Sequence, residues 1–324
     1  MAAASQPGGG TLAAPITRLA PSPTGTLHLG NARTFLVNWA LARKLGWRII
    51  LRIEDLDGPR IKPGAAEAIA STLRWLGMDW DGDVLIQSHD LAPYHEAMSL
   101  LASKALVYPS DLSRTQIEAA ASAPQEGSGE VVFPPSLRPV LAAREFDAPE
   151  MSWRFATPAG EVEFTDGVAG PQRIVPQASI GDFAVWTKRG TPAYQLSVVV
   201  DDHRQGVTEI VRGDDLLDSA ARQILLYRAL GLGPAPRYAH LPLVVGTDAK
   251  RLAKRHGDSR VEHYRAMGVT AERIIGLVAF WSGCCDRRQP MSAAELVAVV
   301  DLRQVPKGPV VFTAEDEAWL IENT

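Results

Sequence analysis

The spacing of apolar residues changes along the chain in a way that marks out elements. Ile16 to Ala20 is a short apolar run that reads as a strand. Leu29, Ala32, Leu36, Trp39 and Ala40 then recur at helical spacing as far as Gly46, a residue suited to ending a helix, and Arg48 to Ile53 reads as a second strand. Strand, Pro/Gly turn, helix and strand in this order form a βαβ unit. That unit sets the turn from Pro21 to Gly30 at the carboxyl end of a parallel sheet. Ala65 to Leu76 and Tyr94 to Ala105 predict further helices. Between Val107 and Gly190 the texture turns to Pro/Gly-punctuated segments with short alternating runs such as Val162 to Phe164, the pattern of an inserted subdomain. Beyond it, Gln195 to Val200 predicts a buried strand, Leu216 to Leu230 a helix closed by Gly231, and Leu241 to Val245 another strand. Val261 to Gly283 and Ser292 to Val300 predict helices.

The expected fold is α/β, with a Rossmann-type sheet split into halves at 15–106 and 191–245, an inserted subdomain at 107–190, and a basic loop and small helical region at 246–324. Residues 1–14, with Gly8-Gly9-Gly10 among Ala, Ser and Pro, predict a disordered tail, because nothing there buries enough apolar surface to offset ordering entropy. No internal repeat is present.

Composition narrows the class without deciding the partner. The chain has 324 residues, 46% hydrophobic and 22% charged, with a formal net charge of -4, the proportions of a globular protein with a sizeable core. No apolar run reaches the roughly 18 to 20 residues of a membrane span. Met1 to Ala14 lacks the basic then apolar order of a signal peptide, so the cytoplasm is the expected compartment. The two cysteines, Cys284 and Cys285, are adjacent and are expected as buried structural thiols; they exclude a Cys-rich metal site. Net acidity argues weakly against nonspecific nucleic-acid binding, yet 33 Lys and Arg residues suffice for a basic face.

Candidate chemistry concentrates in four stretches. The turn Pro21-Ser22-Pro23-Thr24-Gly25-Thr26-Leu27-His28-Leu29-Gly30-Asn31 opens a helix after a parallel strand, so its backbone N–H groups and helix dipole suit a nucleotide phosphate. His28 there could donate to phosphate oxygens, although a lone turn histidine is more often an ordinary polar residue. Arg52-Ile53-Glu54-Asp55-Leu56-Asp57 supplies carboxylates suited to an ammonium, or else is an exposed acidic turn. Arg212, in Arg212-Gly213-Asp214-Asp215-Leu216-Leu217, could bind a carboxylate bidentately, or else pair structurally with Asp214 or Asp215. Lys250-Arg251-Leu252-Ala253-Lys254-Arg255-His256-Gly257 by itself reads as a solvated charge run.

Taken in order, these stretches resemble the class I glutamyl-tRNA synthetases over about Pro15 to Gly283. Arg18-Leu19-Ala20-Pro21-Ser22-Pro23-Thr24-Gly25 with His28-Leu29-Gly30-Asn31 is similar to that family's Arg-Phe-Ala-Pro-Ser-Pro-Thr-Gly and His-Ile-Gly-His, with Asn31 in place of the second histidine. Arg52 to Asp57 resembles Arg-Ile-Glu-Asp-Thr-Asp, Tyr194-Gln195-Leu196-Ser197-Val198-Val199-Val200-Asp201-Asp202 resembles Tyr-x-Leu/Phe-Ala-x-Val-Val-Asp-Asp, and Arg212 to Leu217 resembles Arg-Gly-x-Asp-Leu-Leu. The basic loop resembles KMSKS, with Ala253 replacing the serine.

The resemblance implies a class I aminoacyl-tRNA synthetase catalytic domain that forms glutamyl-adenylate from L-glutamate and ATP with Mg²⁺. It implies His28 and Lys254 as catalytic groups, and Arg18, Leu19, Ala20, Pro21, Ser22, Glu54, Tyr194 and Arg212 around glutamate. His28, Gly30, Asn31, Arg251 and Lys254 would meet ATP. The absence of a long anticodon-binding region after the helical segment resembles the short paralogue that attaches glutamate to queuosine in the anticodon of tRNA(Asp). That implies tRNA(Asp) bearing queuosine as the partner; a monomer and no membrane partner are expected. The paralogue's zinc positions fall here on Ser110, Leu112, Phe133 and Leu137, none a strong ligand, so no structural zinc is expected. Three other readings stand beside this one: a truncated synthetase charging tRNA(Glu), a nonenzymatic tRNA-binding paralogue, and another nucleotidyltransferase of the superfamily.

Overall fold

The computed structural model describes residues 13–113, 115–117, 132–250, 252 and 258–322. Strand β1 (Ile16–Leu19) leads into helix α1 (Leu29–Leu45), which Gly46 ends in the left-handed conformation, and β2 (Arg48–Ile53) follows. This is the βαβ unit read from the spacing. Helix α2 (Ala65–Trp75), β3 (Leu85–Ile86) and α3 (Ala92–Ser103) complete the first half.

The middle of the chain contributes β4 (Val107–Ser110), β5 (Ser152–Phe155), the hairpin β6 (Val162–Asp166) and β7 (Gly170–Ile174), the short α4 (Pro176–Ser179) and β8 (Phe183–Trp186). Strands β4, β5 and β8 form a separate antiparallel sheet, whereas β6 pairs parallel with the second half of the main sheet. That half comprises α5 (Tyr194–Arg204), β9 (Glu209–Gly213), α6 (Leu217–Leu230) and β10 (Arg237–Leu241). The chain ends with β11 (Val244–Val245), α7 (Val261–Ala266), α8 (Ala271–Trp281), α9 (Ala293–Val299), β12 (Val310–Val311) and α10 (Ala314–Ile321).

Strands run in the orders β1-β2-β3 and β7-β6-β10-β9, and β1 lies beside β9. The Thr208 N–H donates to Ile16 O at 2.9 Å, and Ile16 N–H donates to Thr208 Oγ1 at 3.0 Å. The chain therefore winds outward in both directions from the β1/β9 seam. Ligand sites in open α/β sheets lie at the carboxyl ends of the strands at such a switch point. Both faces are covered. Val211 and Ala239 belong to the core under α1 and the C-terminal helices, while their neighbours Ile210 and Tyr238 belong to the core under α3, α5 and α6.

Three expected elements differ. Gln195 to Val200 is helix α5, not a strand. All residues from Gln195 to Asp202 are buried, so the run carries no 3.6-residue period and its three valines mimic a buried strand. Leu241 to Val245 is not one strand: Pro242 lacks the N–H a ladder needs, β10 ends before it, and β11 pairs instead with β12. Val261 to Gly283 is two helices, separated by Met267 to Thr270 with Gly268 at φ 90°. Cys284 and Cys285 are half-buried rather than buried, and are unpaired. Of the expected N-terminal tail, residues 1–12 lie outside the described residues.

Ser110 closes β4, and the other three predicted zinc positions are apolar and packed. Phe133 lies with Tyr108, Ile117 and Ala156 in a small core against which Leu112 and Leu137 pack. The Arg154 guanidinium sits 4.4 Å over the Phe133 ring. Beside it, buried Asp182 accepts from Tyr108 Oη (2.6 Å), the Thr157 N–H (2.9 Å) and the Arg138 guanidinium. No helix among the described residues is long and apolar enough to cross a membrane.

Candidate active site

A cleft of about 1120 Å³ opens at the carboxyl ends of β1, β2, β9 and β10. Arg18, Ala20, Pro21, Ser22, His28, Gly30, Asn31, Glu54, Tyr194 and Arg212 line it, so ten positions scattered from 18 to 212 meet in one place. Leu19, the remaining predicted glutamate neighbour, is fully buried in the core below, where it fixes the end of β1. The candidates Arg251 and Lys254 lie outside the described residues. Leu252, between them, lines the cleft, as does Arg260.

One wall is the start of α1. His28 is the N-cap residue in an extended conformation, and its Nδ1 lies 3.2 Å from Ser259 Oγ. The Leu29 N–H donates to Ser259 O and the Val261 N–H to Leu27 O, which ties the segment after the basic loop to this turn. A helix start leaves N–H groups without intrahelical acceptors. Those of Gly30 and Asn31 are at the cleft, suited to a phosphate.

The floor is an ion network. Arg52, fully buried, donates through Nη1 to Asp202 Oδ1 and Gln205 Oε1, both at 2.7 Å, and through Nη2 to Glu54 Oε1 at 3.1 Å. Arg18 Nε lies 3.5 Å from the same Asp202 oxygen. Glu54 is therefore not an exposed turn residue; its side chain is 12% exposed. Burial raises its carboxyl pKa, against the pull of Arg52 and Arg18, and the group lines the cleft. Glu54 is braced by backbone contacts as well: its N–H donates to Pro21 O, and Ser22 Oγ donates to Glu54 O at 2.9 Å.

Arg212 is 4% exposed. Among the described residues it pairs with no carboxylate, neither Asp214 nor Asp215. Its Nε donates to His240 Nε2 and its Nη1 to Gln223 Oε1, both at 2.9 Å, and its Nη2 to Leu216 O at 3.2 Å. A buried guanidinium held only by neutral acceptors carries an unmet preference for an anion. Tyr194, at the first position of α5, stands part-exposed at the same cleft.

His240, Asp166 and Gln223 carry much of this geometry and were not singled out in the sequence, and Asp202 entered only as the end of the Tyr194 to Asp202 stretch. The available signal was a histidine inside the apolar strand Tyr238-Ala239-His240-Leu241. Its partner Asp166 lies 74 positions away, beyond local pattern reading.

At the switch point of a split Rossmann-type sheet, then, a helix start suited to a nucleotide stands beside a carboxylate and a guanidinium that pairs with no carboxylate among the described residues, an arrangement compatible with a class I tRNA synthetase catalytic domain. A family profile described as the class I tRNA synthetase (E and Q) catalytic domain matches residues 16–319. A glutamyl-Q tRNA(Asp) synthetase of Symbiobacterium thermophilum is 47% identical over 320 residues, covering 95% of this chain and 98% of that one. One from Rhodopirellula baltica is 48% identical over 282 residues, covering 83% and 85%. A glutamate tRNA ligase from Elizabethkingia meningosepticum, solved in complex with its amino acid, superposes with a TM-score of 0.78 at 27% identity, covering 94% of this chain and 68% of that one. The chain belongs to the class I glutamyl- and glutaminyl-type synthetases and, within them, to the glutamyl-Q tRNA(Asp) synthetase family.

Proposed function

We propose that this protein activates L-glutamate with ATP and transfers the glutamyl group to queuosine in the anticodon loop of tRNA(Asp). The observation that carries the amino-acid assignment is Arg212, a buried cation at the cleft that pairs with no carboxylate among the described residues. A glutamate side chain would supply that carboxylate, and glutamine would not. Glu54, held by Arg52, would take the substrate ammonium, with Arg18, Ala20, Pro21, Ser22 and Tyr194 shaping the pocket between them.

Seated in this way, the α-carboxylate lies toward the start of α1. One of its oxygens attacks the α-phosphorus of ATP, a P–O bond to the β-phosphate breaks, and pyrophosphate leaves. His28 and the N–H groups of Gly30 and Asn31 would stabilise charge on the phosphate oxygens as it develops. Arg251 and Lys254 are assigned to the departing phosphates on sequence resemblance. Among the described residues no cluster of three or more His, Cys, Asp or Glu side chains could hold a metal. Mg²⁺ would arrive bound to the phosphates of ATP. In the second step a hydroxyl of the queuosine cyclopentene ring attacks the glutamyl carbonyl, AMP leaves, and the hydroxyl proton is lost.

The acceptor assignment is supported by the near end-to-end match to relatives named for it. The proposed setting is the cytoplasm. The test incubates protein, ATP and labelled glutamate with queuosine-containing tRNA(Asp), the same tRNA carrying guanosine, and tRNA(Glu). Label on the first alone is expected. Label on tRNA(Glu), abolished by prior periodate oxidation of its 3' end, would replace this reading with charging of tRNA(Glu).

A further inference from the structure

The hydrogen bonds of Arg212 constrain more than Arg212. Its Nε–H can only donate, so His240 Nε2, 2.9 Å away, must present a lone pair. The ring proton is therefore on Nδ1, which lies 2.6 Å from Asp166 Oδ2. Asp166 is fixed in turn, because its Oδ1 accepts the backbone N–H groups of Val168 (2.9 Å), Ala169 (2.8 Å) and His240 (3.1 Å). On the other side Gln223 accepts from Arg212 and donates to Gln195 Oε1 at 3.1 Å, and Gln195 donates to Ser219 Oγ at 2.9 Å. Asp166, His240, Gln195 and Gln223 are all buried. Burial, joined by the Arg212 charge, lowers the His240 pKa against the pull of Asp166 and of the Leu216 carbonyl, which favours the neutral ring.

Of the five guanidinium N–H groups, these contacts use three and leave one on each terminal nitrogen, the number a bidentate carboxylate requires. We propose that Asp166 and His240 are positioning residues for substrate recognition: they lock one imidazole tautomer, and that tautomer fixes the plane of the Arg212 guanidinium that receives the substrate carboxylate. This inference rests on the glutamate reading of the site. Were the proton on Nε2 instead, two N–H groups would face each other and Arg212 would have to turn away. Misplacing a positioning group by about 1 Å costs on the order of 100-fold.

The experiment is pyrophosphate exchange at pH 7.5 with glutamate and ATP varied separately, on the full chain and on His240→Leu and His240→Gln. Leu removes the acceptor for Arg212 Nε–H, whereas a Gln carbonyl can replace it. Expected are a rise of about 10-fold or more in KM for glutamate in His240→Leu with KM for ATP moving less than threefold, and recovery of most of that loss in His240→Gln. Equal effects on both substrates, no effect on either, or a His240→Gln no better than His240→Leu would overturn the positioning role. Should His240→Leu not fold, ¹⁵N-histidine spectra decide. The resonance absent from His240→Gln should report a neutral Nδ1–H ring at pH 7, and an Nε2–H or cationic ring overturns the proposal. A wild-type protein with no glutamate-dependent exchange would sink the glutamate reading itself. Exchange that survives unchanged in His240→Leu sinks only the role of His240.

Discussion

Replacing Arg212 by leucine separates substrate recognition from stability. The folded protein loses three hydrogen bonds from a charged donor, to His240, Gln223 and Leu216, each contributing about 1.5 to 3 kcal/mol. It also loses a buried guanidinium that pairs with no carboxylate among the described residues, whose desolvation costs several kcal/mol. The two effects oppose each other, and Leu fills apolar volume beside Tyr238, whose ring lies 5.2 Å from the guanidinium carbon. Stability should therefore change by no more than about 2 kcal/mol.

Recognition has no such offset. Removing one partner of a buried charge pair costs about 2 to 5 kcal/mol, or roughly 30- to 5,000-fold in kcat/KM for glutamate. Glutamine, which brings no carboxylate, should lose much less, so discrimination between the two should collapse. Pyrophosphate exchange with each amino acid, beside a thermal melt of the same preparation, measures both quantities. A folded Arg212→Leu protein within threefold of wild type for glutamate would refute the reasoning.

Glu54→Gln keeps the shape of the floor and the Arg52 to Asp202 pair but removes the charge offered to the ammonium, so kcat/KM for glutamate should fall by about 10- to 100-fold in the same assay. Burial would raise the Asp166 carboxyl pKa, but hydrogen bonds from the His240 ring and from backbone N–H groups outweigh it and hold the pKa at about 2. Its stabilisation is present above pH 4 and is lost as pH falls through 2. Urea titrations between pH 5 and pH 2 should show wild type losing about 2 kcal/mol more than Asp166→Asn. Phe133→Ala opens the small core that occupies the predicted zinc positions and should cost about 3 to 5 kcal/mol in the β4-β5-β8 region, read by hydrogen exchange. Elemental analysis of the purified wild type should find no stoichiometric zinc. Gly276 sits mid-helix in α8, where an added Cβ would stand 1.8 Å from Gln289 O. Gly276→Ala should thus lower stability by about 1 to 3 kcal/mol in a thermal melt, against the helix propensity of alanine.

The sequence alone determined the βαβ start of the fold, because Leu29, Ala32, Leu36, Trp39 and Ala40 recur at helical spacing in α1 and Gly46 supplies its left-handed end, and both signals are local. It also determined which residue types would meet at the cleft, since Pro21 to Asn31, Glu54, Tyr194 and Arg212 stand in short ordered stretches. It misread α5, where burial on every side erases the period that separates helix from strand. It also missed that β6, from the segment read as an insertion, pairs with β10 and brings Asp166 to His240. Those facts belong to the tertiary structure. Which neighbours a buried charge finds is set by strand register and by side chains far apart in the chain. Only folding decided that Glu54 leans on Arg52, while Arg212 rests, among the described residues, on the neutral acceptors His240, Gln223 and Leu216.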